Sequence, residues 1–139
     1  DNLTGDNGVN NISGGAGNDT LIGGLGNDIL TGGTGADIFK WTAQDINTAS
    51  GAPFSDTITD FSRTEGDKLD LSDVLSGDTP SSDLSNYLTF STAGSNVVVS
   101  VHADGNSSGA ADMTIVLKGQ AGDLSALENY LLTQNGVIH

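Results

Sequence analysis

Apolar residues return every nine positions through the first part of the chain, at Leu3, Ile12, Leu21, Leu30 and Phe39. Between them lie mostly glycine, asparagine and aspartate. Three tandem nonamers, Gly14–Ile22, Gly23–Thr31 and Gly32–Lys40, share the form G-G-x-G-x-D-x-U-x, where U is a large apolar residue. Residues 5–13 keep glycine at the first and fourth positions and the apolar residue at the eighth, with Asp6 replacing the second glycine and Asn10 the aspartate. Asp1 to Thr4 match the end of one more unit, so Asp1, Asn10, Asp19, Asp28 and Asp37 are also spaced by nine. The first six residues of each unit predict a turn, because glycines supply the positive φ that other residues resist. The last three predict a short strand whose middle side chain points inward. Two turns and two strands make a coil of eighteen residues, and stacked coils give two parallel sheets with strands about 4.8 Å apart.

Past Asp37 the glycines thin and plain alternation takes over. Asp56–Phe61 and Asp67–Leu75 predict two short strands around a turn. With Ile58, Phe61, Leu69 and Leu71 buried, they would cover the open end of the roll, since unpaired edges need covering. Residues 76–86 read as a loop. Residues 88–92, 96–101 and 113–117 predict an antiparallel meander with Leu88, Phe90, Val97, Val99, Val101, Met113, Ile115 and Leu117 on one face. Asp104 and Asp112 flank its long turn, which reads more simply as a hairpin loop than as an ion site. Residues 124–134 predict a helix with a Leu124, Leu127, Leu131 stripe, a Ser125/Glu128 capping box and an Asn135-Gly136 stop. Val137 to His139 trail off. The expected organisation is a roll over 1–40 and a cap over 41–139, within an all-β fold.

Composition sharpens this picture. The chain has 139 residues, enough for about one domain, with 18 acidic and 4 basic residues and a formal charge of −14. Four cations cannot neutralise many phosphates, which argues against nucleic-acid binding and against a polybasic membrane anchor. No apolar run reaches the ~18–20 residues of a membrane-spanning helix. Cysteine is absent, so disulfides, thiol chemistry and cysteine-based zinc sites are excluded. Because the chain opens inside a repeat, it is expected to be a piece of a longer protein, and the lack of a signal peptide carries little weight.

An acidic, glycine-rich chain reads either as a solvated, disordered tail or as a cage for cations. The phasing of the acids favours the cage. One buried side chain per nine residues cannot offset an ordering cost of about 1–2 kcal/mol per residue. Calcium, which takes 6–8 oxygens, suits turn carbonyls and carboxylates; magnesium demands a stricter octahedron, and zinc's nitrogen and sulfur donors are missing. The expected ligands are Asn7 and Asn10; Gly14, Gly15, Ala16, Gly17 and Asp19; Gly23, Gly24, Leu25, Gly26 and Asp28; and Gly32, Gly33, Thr34, Gly35 and Asp37. Stacking sets Asp19 opposite Asp37 across one ion and Asn10 opposite Asp28 across another. Asp56, Asp60 and Asp67 are open to two readings, as ordinary surface acids or, in one or two cases, as ligands that complete the last turn; Asp56 and Asp60 join the candidate set.

The nonapeptide resembles that of the repeats-in-toxin (RTX) proteins, exported by type I secretion systems of Gram-negative bacteria. Over residues 1–40 the resemblance implies a right-handed parallel β-roll with several Ca²⁺ ions between turns. Residues 56–61 and 66–72 resemble the D-x-I-x-D-F and G-D-x-L-D-L-S segments that follow such repeats, above all in giant biofilm adhesins, and more distantly in serralysin-type proteases and the R-modules of alginate epimerases. The resemblance implies a secreted, extracellular module at the bacterial cell surface, with an uncleaved C-terminal secretion signal. Its expected partners are the ABC transporter, membrane fusion protein and outer-membrane channel of the export machinery, and the remainder of a larger chain upstream. A monomer is expected, with neither nucleic acid nor membrane insertion. The alternative is the tail of a secreted enzyme of protease, lipase or epimerase type. Sugar or ice binding by the module lacks a flat threonine array or an aromatic row.

Catalysis within the chain finds no support. Gly105-Asn106-Ser107-Ser108-Gly109 matches G-x-S-x-G, but that elbow needs a following helix, and here a β pattern follows. Only His102 and His139 could serve as base, and His102 reads as a strand-edge residue. There is no H-E-x-x-H zinc motif.

Overall fold

Two columns of apolar side chains run the length of the molecule, one per sheet, and both extend well beyond the nonamers. The computed structural model describes residues 1–46, 53–75, 84–105, 108–133 and 136–139. Most of the expected 76–86 loop therefore lies outside the described residues, as do Asn106 and Ser107 of the G-x-S-x-G match and Gln134 and Asn135 at the helix end. Among the described residues the strands are β1 (Asn2–Thr4), β2 (Asn11–Ala16), β3 (Thr20–Ile22), β4 (Ile29–Thr34), β5 (Ile38–Lys40), β6 (Phe54–Ile58), β7 (Lys68–Asp70), β8 (Leu88–Ala93), β9 (Asn96–Val101), β10 (Met113–Leu117) and β11 (Val137–Ile138), with helix α1 at Leu124–Thr133. One sheet has the order β1-β3-β5-β7-β11 and the other β2-β4-β6-β10-β9-β8.

The eighteen-residue register is as the period predicts. Leu3 pairs with Leu21 and Leu21 with Phe39 in one sheet, while Ile12 pairs with Leu30 in the other. Leu21, Leu30 and Phe39 are fully buried. In the second sheet the strands are longer than expected, since β2 and β4 run on through Gly14-Gly15-Ala16 and Gly32-Gly33-Thr34. The glycines nevertheless hold the turn: Gly24 and Gly26 have φ of 96° and 122°, and the same positions of the neighbouring nonamers match them.

Residues 54–70 do not form a hairpin. β6 and β7 belong to different sheets and form one more coil, with Ile58 paired to Leu30 and Leu69 to Phe39. The physical reason is that both keep the D-x-U half of the nonamer, Asp56-Thr57-Ile58 and Asp67-Lys68-Leu69, so each offers the next rung of its column. The meander forms as expected, and Val97, Val99, Val101, Met113, Ile115 and Leu117 are buried. Instead of packing face-on, it joins the roll edge to edge: β10 runs parallel to β6, with Leu117 opposite Ile58. The C-terminus does not trail off either, because β11 adds a last rung with Val137 opposite Leu69. Helix α1 buries Leu127 and Leu131, and the Tyr130 hydroxyl donates to the Asp67 carbonyl (2.8 Å). A single 3-10 turn, Ala121–Asp123, leads directly into α1, which places Ser125 inside the helix and not at its cap.

His102 directly follows the end of β9 and is buried, with Nε2 3.1 Å from the Thr89 hydroxyl. Asp112 Oδ2 accepts from the Ala103 N–H (2.8 Å) and ties the long turn together, as a hairpin loop requires.

Candidate metal centre

The aspartates of successive coils form two ladders, one along each edge of the roll. On one edge the Asp1 amino group donates to Asp19 Oδ1, the Asp19 N–H to Asp37 Oδ1 (2.9 Å) and the Asp37 N–H to Asp67 Oδ1 (2.9 Å). On the other, the Asn10 N–H donates to Asp28 Oδ1 and the Asp28 N–H to Asp56 Oδ1 (both 2.8 Å). Each rung thus places one carboxylate oxygen against the backbone of the coil before it. The expected pairs, Asp19 with Asp37 and Asn10 with Asp28, are brought together.

The second oxygen separates the ladder into two kinds of rung. Oδ2 of Asp19, Asp28 and Asp37 is buried and has no hydrogen-bond partner, although these residues are only 2, 1 and 0 % exposed. Leaving such an atom unanswered costs about 1–3 kcal/mol, and more when it is charged. Burial accordingly pushes Asp28 and Asp37 above the usual carboxylate range. Each Oδ2 lies over the first glycine of its own turn: a Cβ on Gly14 would sit 2.5 Å from Asp19 Oδ2 and 2.6 Å from the Gly32 carbonyl oxygen, and Gly23 and Gly32 are crowded the same way by Asp28 and Asp37. The glycine keeps this space open. Backbone oxygens crowd four further glycines, with the Asp6 and Gly8 carbonyls against Gly24 and Gly26, and those of Gly15 and Gly17 against Gly33 and Gly35.

Such a donor set suits calcium: buried carboxylate oxygens with no partner, closely stacked carbonyls, and nitrogen or sulfur nowhere among them. Among the described residues no three acidic or imidazole side chains cluster as a metal site, which leaves a turn ion to be held by one or two carboxylates and backbone oxygens. Asn7 and Leu25 lie in the turns between strands, whereas Ala16 and Thr34 are the last residues of β2 and β4. Asn10 has its side-chain oxygen on the Asp6 N–H (2.8 Å), and its amide donates to Asp6 Oδ1 (3.1 Å).

Asp56 and Asp60 behave differently. Asp56 is buried with Oδ1 on the Asp28 N–H and Oδ2 on the Trp41 indole N–H (2.6 Å), and burial pushes its pKa to about 6. Asp60 accepts from the Gly32 and Gly33 N–H groups (2.9 and 2.8 Å), standing where the next glycine turn would be. Asp67, outside the expected ligand set, is the counterpart of Asp56 on the other edge, with Oδ2 on the Ser62 N–H (2.8 Å) and a pKa pushed by burial to about 6. Its D-x-U spacing was the signal that places it. Asp45 is a buried acid that carries no comparable mark in the sequence.

Comparison with known proteins agrees with this geometry. Residues 4–39 match the family model of the RTX calcium-binding nonapeptide repeat, in 4 copies. No curated protein sequence matches the chain. Among solved structures, the solution structure of the AlgE6R3 subunit from the Azotobacter vinelandii mannuronan C5-epimerase aligns over 99 % of this chain and 78 % of its own, at 24 % identity and a TM-score of 0.59. The AlgE6R2 subunit of the same enzyme aligns over 99 % and 91 %, at 24 % identity and a TM-score of 0.43. The likeness to AlgE6R3 is one of fold, a mostly β chain related to an R-module β-roll. The match to the RTX calcium-binding nonapeptide repeat covers residues 4–39, the part of the chain that holds β1 to β4 and most of β5.

Proposed function

We propose that the chain is a non-catalytic calcium-binding module that folds on export and carries the C-terminal type I secretion signal of a large secreted adhesin. The observation behind this reading is the set of buried, unpartnered Oδ2 atoms on Asp19, Asp28 and Asp37. Where calcium is scarce, these turns are unfinished and a charge of −14 opposes compaction. In that state the nonapeptide coils stay unfolded and can thread a narrow channel formed by the transporter, fusion protein and outer-membrane pore. Outside the cell, millimolar calcium suits extracellular sites with Kd of about 10⁻⁴–10⁻³ M, and binding free energy becomes folding free energy. The C-terminus leaves first, folds first and discourages backsliding.

A second reading makes the module the tail of a secreted enzyme, aiding its export and folding. Its support is the fold shared with AlgE6R3, part of a mannuronan C5-epimerase. The sequence upstream separates the two: tandem adhesive domains for the first, a catalytic motif for the second.

Circular dichroism in millimolar calcium and in excess chelator tests the folding step. The expected result is β-structure in calcium and its loss from the repeats under chelation; identical spectra would overturn the reading. Export is tested by appending the chain to a passenger in a host with a type I system, with and without residues 124–139. Equal export of both forms would remove the signal from this C-terminus.

A further inference from the structure

Three acids on one edge of the roll, Asp28, Asp45 and Asp56, are 1, 4 and 3 % exposed, and among the described residues none of them is paired with a lysine or arginine. Buried charge without a counter-charge is costly. Asp56 is answered by the Trp41 indole and the Asp28 N–H. Asp28 Oδ2 is unanswered and faces the space over Gly23. Asp45 comes from outside every nonapeptide, on a single 3-10 turn, Ala43–Asp45, between β5 and β6. That segment folds back across the edge of the roll: Thr42 and Asp45 line a cavity of about 210 Å³ together with Gly5, Asp6, Gly24 and Leu25. Asp6, from the turn that stacks on 23–28, lines the same cavity as Asp45.

We propose that Asp45 contributes its carboxylate charge to the cation held between turns 5–10 and 23–28, so that filling this site also clamps residues 42–46 onto the edge of the roll. The proposal rests on the calcium reading above and adds a residue that the nine-residue period does not contain. Two carboxylates, Asp28 and Asp45, then act with backbone oxygens, in keeping with the lack of a three-acid cluster. The Asp45 carboxylate is held within its own turn, where Oδ2 accepts from the Thr42 N–H (2.6 Å) and hydroxyl (3.2 Å).

The test uses terbium in place of calcium, with emission sensitised by Trp41, the single tryptophan, which is linked to Asp28 through Asp56. Asp45→Asn keeps an oxygen for the Thr42 N–H and removes the charge. The expected result is a loss of about tenfold in the affinity read by Trp41, as ligand charge count sets affinity, with the ion at Asp19 and Asp37 unchanged by calorimetry. A terbium titration that superimposes on wild type would overturn the proposal. Hydrogen exchange on the unmodified chain gives a second measure that does not depend on how the variant folds. Calcium should slow exchange at the Thr42 amide together with that of Asp28; protection at Asp28 alone would overturn the clamp. A wild-type chain that takes up neither ion overturns the calcium reading itself, and the role of Asp45 with it.

Discussion

The nonapeptide coils and the coil that follows them share two sheets and two aspartate ladders, yet they satisfy their buried acids in opposite ways. In the nonapeptide coils the core is one apolar residue per strand, and Asp19, Asp28 and Asp37 each keep an unpartnered oxygen. In the next coil the corresponding rungs, Asp56 and Asp67, have both oxygens bonded by the protein, to Trp41 and Ser62 among others. Apolar packing is denser there as well, with Trp41, Phe61, Leu71, Val74 and helix residues Leu127 and Leu131 buried around the same columns. Phe61 bridges the two regions, its ring centroid 6.3 Å from that of Phe39 and 6.4 Å from that of Tyr130. The contrast teaches that a ladder carboxylate can be completed either by a cation or by an N–H donor. Only the first choice makes folding conditional on a metal in the medium.

Substitutions sharpen that contrast, beginning with the largest expected effect. Asp37→Ala removes the acceptor of the buried Asp19 N–H, at about 1–3 kcal/mol. In saturating calcium it also forfeits the linkage of one ion, about 2.7 kcal/mol at a hundredfold excess over Kd. Denaturant unfolding should therefore show a cost that grows with calcium; a cost independent of calcium would break the comparison. Gly33→Ala is next. Its Cβ would overlap the Gly15 carbonyl oxygen at a φ of 104°, for a combined cost of about 2–5 kcal/mol. Gly15→Ala, at a φ of 102° with open space around the Cβ position, should cost only about 1–2 kcal/mol by the same unfolding measurement.

Trp41→Phe leaves Asp56 Oδ2 without its donor while keeping most of the ring. It should cost about 1–3 kcal/mol, equally in calcium and in chelator, because this rung relies on the protein alone. Acid gives the smallest effect. Asp56, with a folded pKa near 6 against an unfolded value of 3.8, holds its proton more tightly when folded. Calcium-free stability should therefore rise as pH falls through 6 towards 4, by about 1 kcal/mol at pH 5.5, with Asp67 adding in the same direction. Unfolding midpoints in chelator at pH 7 and 5.5 check the sign, and a fall on acidification would contradict it.

What the sequence made legible follows from how local each contact is. The pairing of Leu21 with Phe39 and of Asp19 with Asp37 repeats at a fixed spacing of eighteen, so the period alone sets strand, turn and face. The next coil was harder to see because the segment 41–53 interrupts the count, and Asp56 and Asp67 follow Asp28 and Asp37 at spacings of 28 and 30. Only the D-x-U triplets survive to mark them. The joins of β10 to β6 and of β11 to β7 are backbone pairings between segments far apart in the chain, and a two-residue strand such as Val137–Ile138 has no period to read. Asp45 was hidden for a related reason: its burial depends on a segment folding back over turns that precede it by more than fifteen residues.

Chemical unfolding of the intact chain followed across free calcium, from excess chelator to millimolar, addresses the unpartnered oxygens of Asp19, Asp28 and Asp37 most directly. If divalent cations complete these turns, the midpoint climbs steadily with the logarithm of calcium concentration once the sites begin to fill. A midpoint that stays put over the whole range would mean the nonapeptide coils stand without metal.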